Sequence, residues 1–127
     1  MSHFSTIKTQ IRNKPQLIEA LELLQYDIKE DQELIIGNPY HAKNHPVVEA
    51  DICIKQDIGF RLNPRTGTYE LVADLETWSE PIPPKRLVDK VTQQYARMTI
   101  HNQVKEMGYE VQEEWEMDDN SIEITVN

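Results

Sequence analysis

This chain has few cysteines, which form disulfides and nucleophilic sites, and few glycines, which form nucleotide-binding loops. Its 127 residues include one cysteine and four glycines. A single cysteine, Cys53, excludes an internal disulfide and suits a reducing compartment. Four glycines are too few for a glycine-rich dinucleotide fingerprint, and the turn at 63–67 lacks the strand-to-helix context of a phosphate loop. These absences count against nucleotide-dependent enzymes.

Positive charge is also scarce. Thirteen Lys and Arg residues stand against 22 Asp and Glu residues, and the formal net charge is −9. General nucleic-acid binders and proteins of anionic membranes need a surplus of positive charge, so we expect no nucleic-acid partner. The sequence shows no secretory signal and no apolar run near the ~20 residues of a spanning helix. We therefore expect a soluble, cytoplasmic protein without membrane insertion.

The remaining composition is that of a globular protein. Hydrophobic residues make up 39% of the chain and charged residues 28%. A chain of this length fits one domain, residues 1–127, and can bury about two-thirds of its unfolded surface without a metal or disulfide. We therefore expect a single folded unit.

The first third of the chain alternates between strand and helix patterns. Residues 4–11 predict a strand, and Asn13 is a helix N-cap candidate with Pro15 in the first turn. The apolar helix positions are Leu17, Ala20, Leu21 and Leu24. Two short strands at 25–30 and 33–36 are predicted next.

Residues 47–76 predict an antiparallel three-stranded meander with one apolar face, since apolar and polar residues alternate between two turn signals. The core face comprises Ala50, Ile52, Ile54, Ile58, Phe60, Leu62, Tyr69, Leu71, Ala73 and Leu75. The polar face comprises Asp51, Asp57, Arg61, Glu70 and Asp74. Cross-strand ion pairs, such as Arg61 with Glu70 or Asp74, would explain this polar face without a function.

A long helix is predicted from Lys85 to Met107, closed by Gly108. One apolar stripe comprises Leu87, Val91, Tyr95 and Met98. A second stripe, on the opposite side of the helix, comprises Ala96, Ile100, Val104 and Met107. Such a helix is covered by the protein on both faces, bent near Met98, or bound to a partner chain. We favour the first two explanations together.

Two further strands, at 109–117 and 122–126, complete the predicted order β-α-β-β-β-β-β-α-β-β. An acidic run at 110–119 precedes the last strand and is interpreted as a solvated face and turn. The predicted fold class is α+β: an antiparallel sheet with a central three-stranded meander and two helices packed on one face.

A metal or nucleophile site has few candidates. His41 and His45 lie in a polar loop, and Asp51 and Cys53 follow on one strand face. The histidine spacing aligns ligands only on a helix, and prolines make this segment a loop. A lone cysteine in a strand is typical of a small buried hydrophobe. We therefore expect no metal, no cofactor and no catalytic residue.

Four segments carry a family resemblance. They read MSHFSTIKTQIRN, ADICIKQDIGF, YELVADLETW and QQYARMTI. They resemble the hypothetical-chloroplast-frame thirty-five family, whose role is unknown, over nearly the whole chain. The resemblance implies a soluble α+β domain in a cyanobacterial cytoplasm or plastid stroma. It also implies an accessory role in a complex, without known catalytic residues or cofactor.

These observations favour a non-enzymatic accessory or adaptor protein that acts through protein–protein contacts. The candidate surface for a partner or ligand comprises Asp57, Arg61, Glu70, Asp74, Trp78 and Tyr95. Trp78, beside the proline-rich residues 79–84, is expected to be an exposed anchor. The alternative is a small-ligand sensor or enzyme with a pocket between sheet and helices. That pocket would be lined by Tyr69, Asp74, Tyr95 and Arg97.

Overall fold

The computed structural model describes residues 4–35, 47–109, 111–116 and 122–126. The fold is α+β, with an antiparallel sheet and two helices, as predicted. The elements are β1 (Phe4–Lys8), α1 (Lys14–Leu23), β2 (Lys29–Ile35), β3 (Val47–Lys55), β4 (Ile58–Asn63), β5 (Thr68–Asp74), α2 (Pro84–Glu106), β6 (Val111–Glu116) and β7 (Ile122–Val126).

Five strands form one antiparallel sheet in the order β1-β5-β4-β3-β2. The predicted meander is therefore the consecutive set β3-β4-β5, and β1 pairs with its outer strand β5. The hairpin β6-β7 forms a separate two-stranded sheet, and β7 contacts α2.

The prediction of two short strands after α1 is wrong. A single strand, β2, pairs with β3 from Lys29 opposite Cys53 to Ile35 opposite Val47. Asp31 adopts a left-handed φ of 53° inside this strand. That conformation interrupts the alternation of side chains that a sequence pattern reports, while the pairing register continues past it.

Helix α1 begins and ends with hydrogen bonds supplied by specific residues. The Asn13 side chain accepts a bond from the Gln16 amide at 3.0 Å. The helix ends in a Schellman motif: the Gln25 amide donates to the Glu22 carbonyl, and the Tyr26 amide donates to the Leu21 carbonyl. Gln25 takes the left-handed conformation, with φ 73°.

The main core lies between the sheet and both helices. Leu17 and Leu21 of α1 and Leu87 and Val91 of α2 are buried there against the sheet. The sheet contributes Ile52, Ile54, Ile58, Phe60, Tyr69, Leu71 and Ala73. Fully burying an aliphatic or aromatic side chain of this size contributes about 1.5–3 kcal/mol. Both helices therefore pack on one face, as predicted.

The prediction that the meander has one apolar face is wrong at β5, where every residue is buried. Val72 points away from the helices and packs with Leu34, Ala50 and Cys53 in a second cluster. Leu34 belongs to β2, so the β2-β3 hairpin contributes to the cover of this face. Ala50 was assigned to the helix face and lies instead in this second cluster.

Gly59 of β4 lies in close contact with the neighbouring strand β3. A Cβ atom at this position would stand 2.7 Å from the Ile52 carbonyl oxygen and 2.9 Å from the Ala50 Cβ.

Two residues assigned to the core face, Leu62 and Leu75, are exposed at the ends of their strands. The alternation that predicts a core face does not reveal where a strand leaves the cover of the helices.

Helix α2 is buried unevenly along its length. Of the first predicted stripe, Leu87, Val91 and Met98 are buried and Tyr95 is half-buried. Of the second stripe, Ala96, Ile100 and Val104 are half-buried and Met107 is exposed. No residue from Thr99 to Met107 is buried, so the core anchors the first half of α2 more firmly than the second.

Candidate functional site

The predicted polar surface contains one cross-strand ion pair. Arg61 and Glu70 lie opposite each other in the β4-β5 ladder, and the Arg61 Nη2 atom lies 3.0 Å from Glu70 Oε1. Glu70 is buried, and Arg61 is half-buried. Such a pair contributes about 0.2–1 kcal/mol. Both side chains are therefore engaged in pairing within the sheet.

Asp57 and Asp74 meet at the end of β5. The Asp74 amide donates to the Asp57 carbonyl, 3.2 Å away. The Asp57 carboxylate accepts a hydrogen bond from the Thr77 hydroxyl, and the Asp74 carboxylate accepts one from the Glu76 amide at 2.9 Å. Asp74 is fully buried. These two carboxylates therefore hold the backbone where the chain leaves the sheet.

Trp78 and Tyr95 are both half-buried against the main core. The Trp78 Nε1 atom donates to the Ile82 carbonyl at 2.9 Å. The Tyr95 hydroxyl accepts a hydrogen bond from the Asn13 amide at 3.2 Å. Trp78 is therefore not the freely exposed anchor that its proline-rich context predicted, because its indole is packed and hydrogen-bonded inside its own loop.

The alternative pocket does not form from its four predicted residues. Tyr69 and Asp74 are an odd number of positions apart in β5, so their side chains point to opposite faces of the sheet. Tyr69 packs in the helix-facing core. Arg97 lies on α2, beside α1. The side chains are thus divided among both sheet faces and a helix surface.

The predicted metal candidates are only partly described. His41 and His45 lie outside the described residues. Cys53 is buried, and its thiol donates to the Lys55 carbonyl, with Sγ 2.8 Å from the oxygen. Burial raises the pKa of this thiol. Within the described parts of the chain, no group of three His, Cys, Asp or Glu residues is arranged to hold a metal ion.

Residues 79–83, the segment between β5 and α2, are tied to the domain. Glu80 has a side chain only 8% exposed, and its carboxylate lies 2.9 Å from Lys55 Nζ. Lys55 Nζ also lies 3.4 Å from the Ser79 hydroxyl. Burial of the Tyr26 phenol raises its pKa, and the charge of the Glu80 carboxylate raises it further.

An open groove of about 260 Å³ runs between α1 and α2. Leu23 and Met98 supply its apolar surface, and Leu23 is 55% exposed. Its polar lining comprises Glu19, Gln94, Arg97, His101 and Asn102. The apolar centre with polar sides is the usual composition of a surface that accepts a ligand side chain or a helix.

Gln16 fixes the two walls of this groove relative to each other. Its side-chain amide, in the first turn of α1, donates to the Tyr95 carbonyl at 3.1 Å and to the Thr99 hydroxyl, both in α2. The groove is thus built on two connected helices rather than on loops.

Apolar exposure also occurs at the C-terminal end of α2, outside the groove. Met107 is 70% exposed and Tyr109 is 47% exposed. Because Met107 belongs to the second apolar stripe, it lies on the opposite side of α2 from Met98. Leu23 is therefore the exposed large hydrophobic residue of the groove, and we name the groove residues the helical surface.

Comparison with known proteins gives the family directly. A family model described as a protein of unknown function, DUF1257, matches residues 20–125. The chain belongs to the DUF1257 family. No solved structure matches the chain, and within the described residues no helix is long and apolar enough to cross a membrane.

Curated relatives of this DUF1257 chain bear the name uncharacterized protein ycf35. The relative from Pyropia yezoensis is 33% identical and that from Cyanophora paradoxa 34% identical, and each alignment covers 99% of this chain and 96% of the relative. A relative from Guillardia theta is 30% identical over the same shares. The resemblance stated from the sequence is thereby confirmed, and these relatives are plastid-encoded.

Sequence reasoning missed most of the groove of this DUF1257 chain. Of its seven lining residues, only Arg97 was named as a ligand candidate, and Met98 was assigned to a core stripe. Leu23 carried a usable signal: it is apolar but lies outside the stripe formed by Leu17, Leu21 and Leu24. The pairing of α1 with α2 was the missing information, because it joins residues about 75 positions apart.

Proposed function

We propose that this protein is a non-enzymatic accessory protein that binds another protein through the helical surface. The observation that carries the proposal is the exposure of Leu23 beside Met98 in a preformed groove between α1 and α2. Water-exposed apolar side chains beside a groove gain free energy when a partner covers them. We place the protein in a cyanobacterial or plastid-type setting, and the plastid-encoded relatives support the plastid part of this assignment.

The six residues predicted as a contact surface support this function less well than the helical surface. Arg61 and Glu70 pair with each other, and Asp57 and Asp74 bond the chain near the end of β5. A partner that used these groups would have to break existing hydrogen bonds, at about 0.5–1.5 kcal/mol each. Trp78 and Tyr95 retain partial exposure and stay candidates for the margin of a contact.

The test is affinity purification from native cells with quantitative mass spectrometry. We expect the wild-type chain to enrich at least one protein in near-stoichiometric amount. Leu23→Glu places a charge in the groove and should reduce that enrichment about tenfold or more, because an unpaired charge would have to be buried in the contact.

Leu75→Glu is the matched control, since Leu75 is similarly exposed, at 50%, but lies beyond β5. It introduces the same charge and should leave enrichment unchanged. Thermal unfolding of both variants checks that the fold is intact. Equal loss with Leu23→Glu and Leu75→Glu, or a wild-type chain that enriches no protein, would overturn the proposal.

A further inference from the structure

We infer that the partner bound by the helical surface presents an acidic segment, which lies along one side of α2. This inference rests on the proposed function and specifies the chemistry of the partner. It follows from the placement of positive charge in a protein whose net charge is negative. The residues concerned are Arg86, Lys90, Arg97 and His101, here named the basic flank.

Positive charge is concentrated in α2. The helix contains five of the 13 Lys and Arg residues of the chain and only two of its 22 Asp and Glu residues. The basic residues are Lys85, Arg86, Lys90, Arg97 and Lys105. The remainder of the chain is therefore more acidic than the average suggests, and α2 is a cationic element on an acidic body.

The basic flank occupies one side of the helix. Its members follow at intervals of four, seven and four residues, which places them within an arc of about 60° at 3.6 residues per turn. Neither acidic residue of α2, Asp89 or Glu106, falls within that arc. Arg97 and His101 also line the groove beside Leu23, so the basic flank and the apolar groove are adjacent parts of one surface.

The outer cations of this flank are not neutralised internally. Arg86 and Lys90 are exposed, and in the described part of the chain neither makes an ion pair. Elsewhere the chain uses its own carboxylates: Lys14 pairs with Glu30 and Asp31, and Lys55 pairs with Glu80. Charge complementarity therefore favours an external acidic group opposite Arg86 and Lys90.

A protein segment fits this surface better than a nucleic acid. The net charge of −9 repels a long polyanion such as a nucleic acid. A short acidic segment interacts mainly with the nearby positive charges of α2, because salt screens the more distant charges. The apolar groove adjoining the flank requires a partner that also carries an apolar side chain. An amphipathic helix with carboxylates beside its apolar stripe meets both requirements, and α2 offers it about 35 Å of length at 1.5 Å per residue.

The experiment places a photo-crosslinking amino acid, p-benzoylphenylalanine, at Gln93 of the full chain in native cells; Gln93 is three residues from Lys90 on the same side of α2, and this position leaves Arg86 and Lys90 in place. Mass spectrometry then identifies the crosslinked peptide. We expect a peptide rich in Asp and Glu with interspersed apolar residues. Binding of the purified partner should weaken about tenfold or more in Arg86→Glu/Lys90→Glu, because like charges would then face each other, and should weaken in high salt.

The control is Lys29→Glu/Arg65→Glu, which makes the same change in net charge at exposed cations away from α2. It should leave affinity close to that of the wild type. A partner that is lost with Leu23→Glu but unaffected by the Arg86→Glu/Lys90→Glu reversal overturns this inference and leaves the proposed function standing. A crosslinked peptide without an excess of acidic residues would likewise overturn the inference and leave the proposed function standing.

Two further outcomes also contradict the inference. Loss of the complex on nuclease treatment, or binding to vesicles of anionic phospholipid that the Arg86→Glu/Lys90→Glu reversal abolishes, would assign the basic flank to another polyanion. Failure to crosslink any protein, together with a wild-type chain that enriches none, would overturn the proposed function itself.

Discussion

At the scale of single residues, the two helices end in the same motif with different residues at its critical position. Gly108 takes the left-handed conformation after α2, with φ 83°, and the amides of Gly108 and Tyr109 donate to Lys105 and Val104. Gln25 occupies the equivalent position after α1 with φ 73°. A side chain with a Cβ pays about 1–2 kcal/mol for this conformation, which glycine does not.

Gln25→Gly is therefore expected to stabilise the protein by about 0.5–1 kcal/mol, since relief of this strain exceeds the added entropy of the unfolded chain. Gly108→Ala should destabilise it by about 1 kcal/mol for the converse reason, because a Cβ there meets no atom within 4 Å and only the backbone is strained. Denaturant unfolding measures both. A stability loss in Gln25→Gly would contradict the assigned conformation.

Tyr26 gives the protein a pH dependence with a defined sign. Its folded pKa is raised above the ordinary value of 10.0, mainly by burial and also by the Glu80 charge. The folded state therefore retains this proton at a pH where the unfolded state loses it. Stability is constant below about pH 10 with respect to this group and falls as pH rises through the folded pKa.

Absorbance titration at the tyrosinate band tests this expectation. Tyr26→Phe should remove one late-titrating phenol and lessen the loss of stability above pH 10. Tyr109→Phe, which changes an exposed phenol, serves as the control for general alkaline effects. If Tyr26→Phe instead removes a phenol that titrates at or below pH 10, the contact with Glu80 is wrong.

At the scale of elements, Glu80 fixes the proline-rich segment between β5 and α2. Removing this nearly buried carboxylate leaves the Lys55 ammonium without its ion-pair partner, and Glu80→Ala should cost about 1–3 kcal/mol. Residues 79–83 should also become more sensitive to proteolysis. Glu33→Ala changes an exposed carboxylate of β2 and should be nearly neutral; equal effects of the two would contradict the role of Glu80.

Elements with a strong local signal were predictable from the sequence. The Asn13 cap and the spacing of Leu17 and Leu21 predicted α1, and the turn around Gly67 predicted the β4-β5 hairpin. The single strand β2 was not predictable, because Asp31 interrupts its alternation while long-range pairing with β3 maintains it. The local sequence pattern shows how apolar residues alternate, but it does not show which distant strand pairs with the segment.

The candidate site was less predictable than the fold. Alternation in β5 gave the correct helix-facing residues, but it could not show that Val72 and Glu70 are buried on the other face. The groove arises where Leu23 of α1 meets Met98 of α2, a contact set by tertiary packing. The polar residues singled out by type, such as Asp57 and Asp74, prove to be bonded within the chain.

At the scale of the whole molecule, charge and buried residues are distributed unevenly along the chain. The sheet and the first half of α2 form the buried body, whereas the second half of α2 has no buried residue after Met98. Positive charge is concentrated on α2, against a net charge of −9. The helix that lines one wall of the groove is therefore also the element with the most distinctive charge, which is the basis for placing the partner there.

The most direct measurement is hydroxyl-radical footprinting of side chains with and without the captured partner. Oxidation of Leu23 should fall in the complex, because its side chain is exposed in the free protein and covered in the proposed contact. Oxidation of Leu75 should not change. Protection of Leu75 with Leu23 unaltered would contradict the helical surface as the site of partner binding.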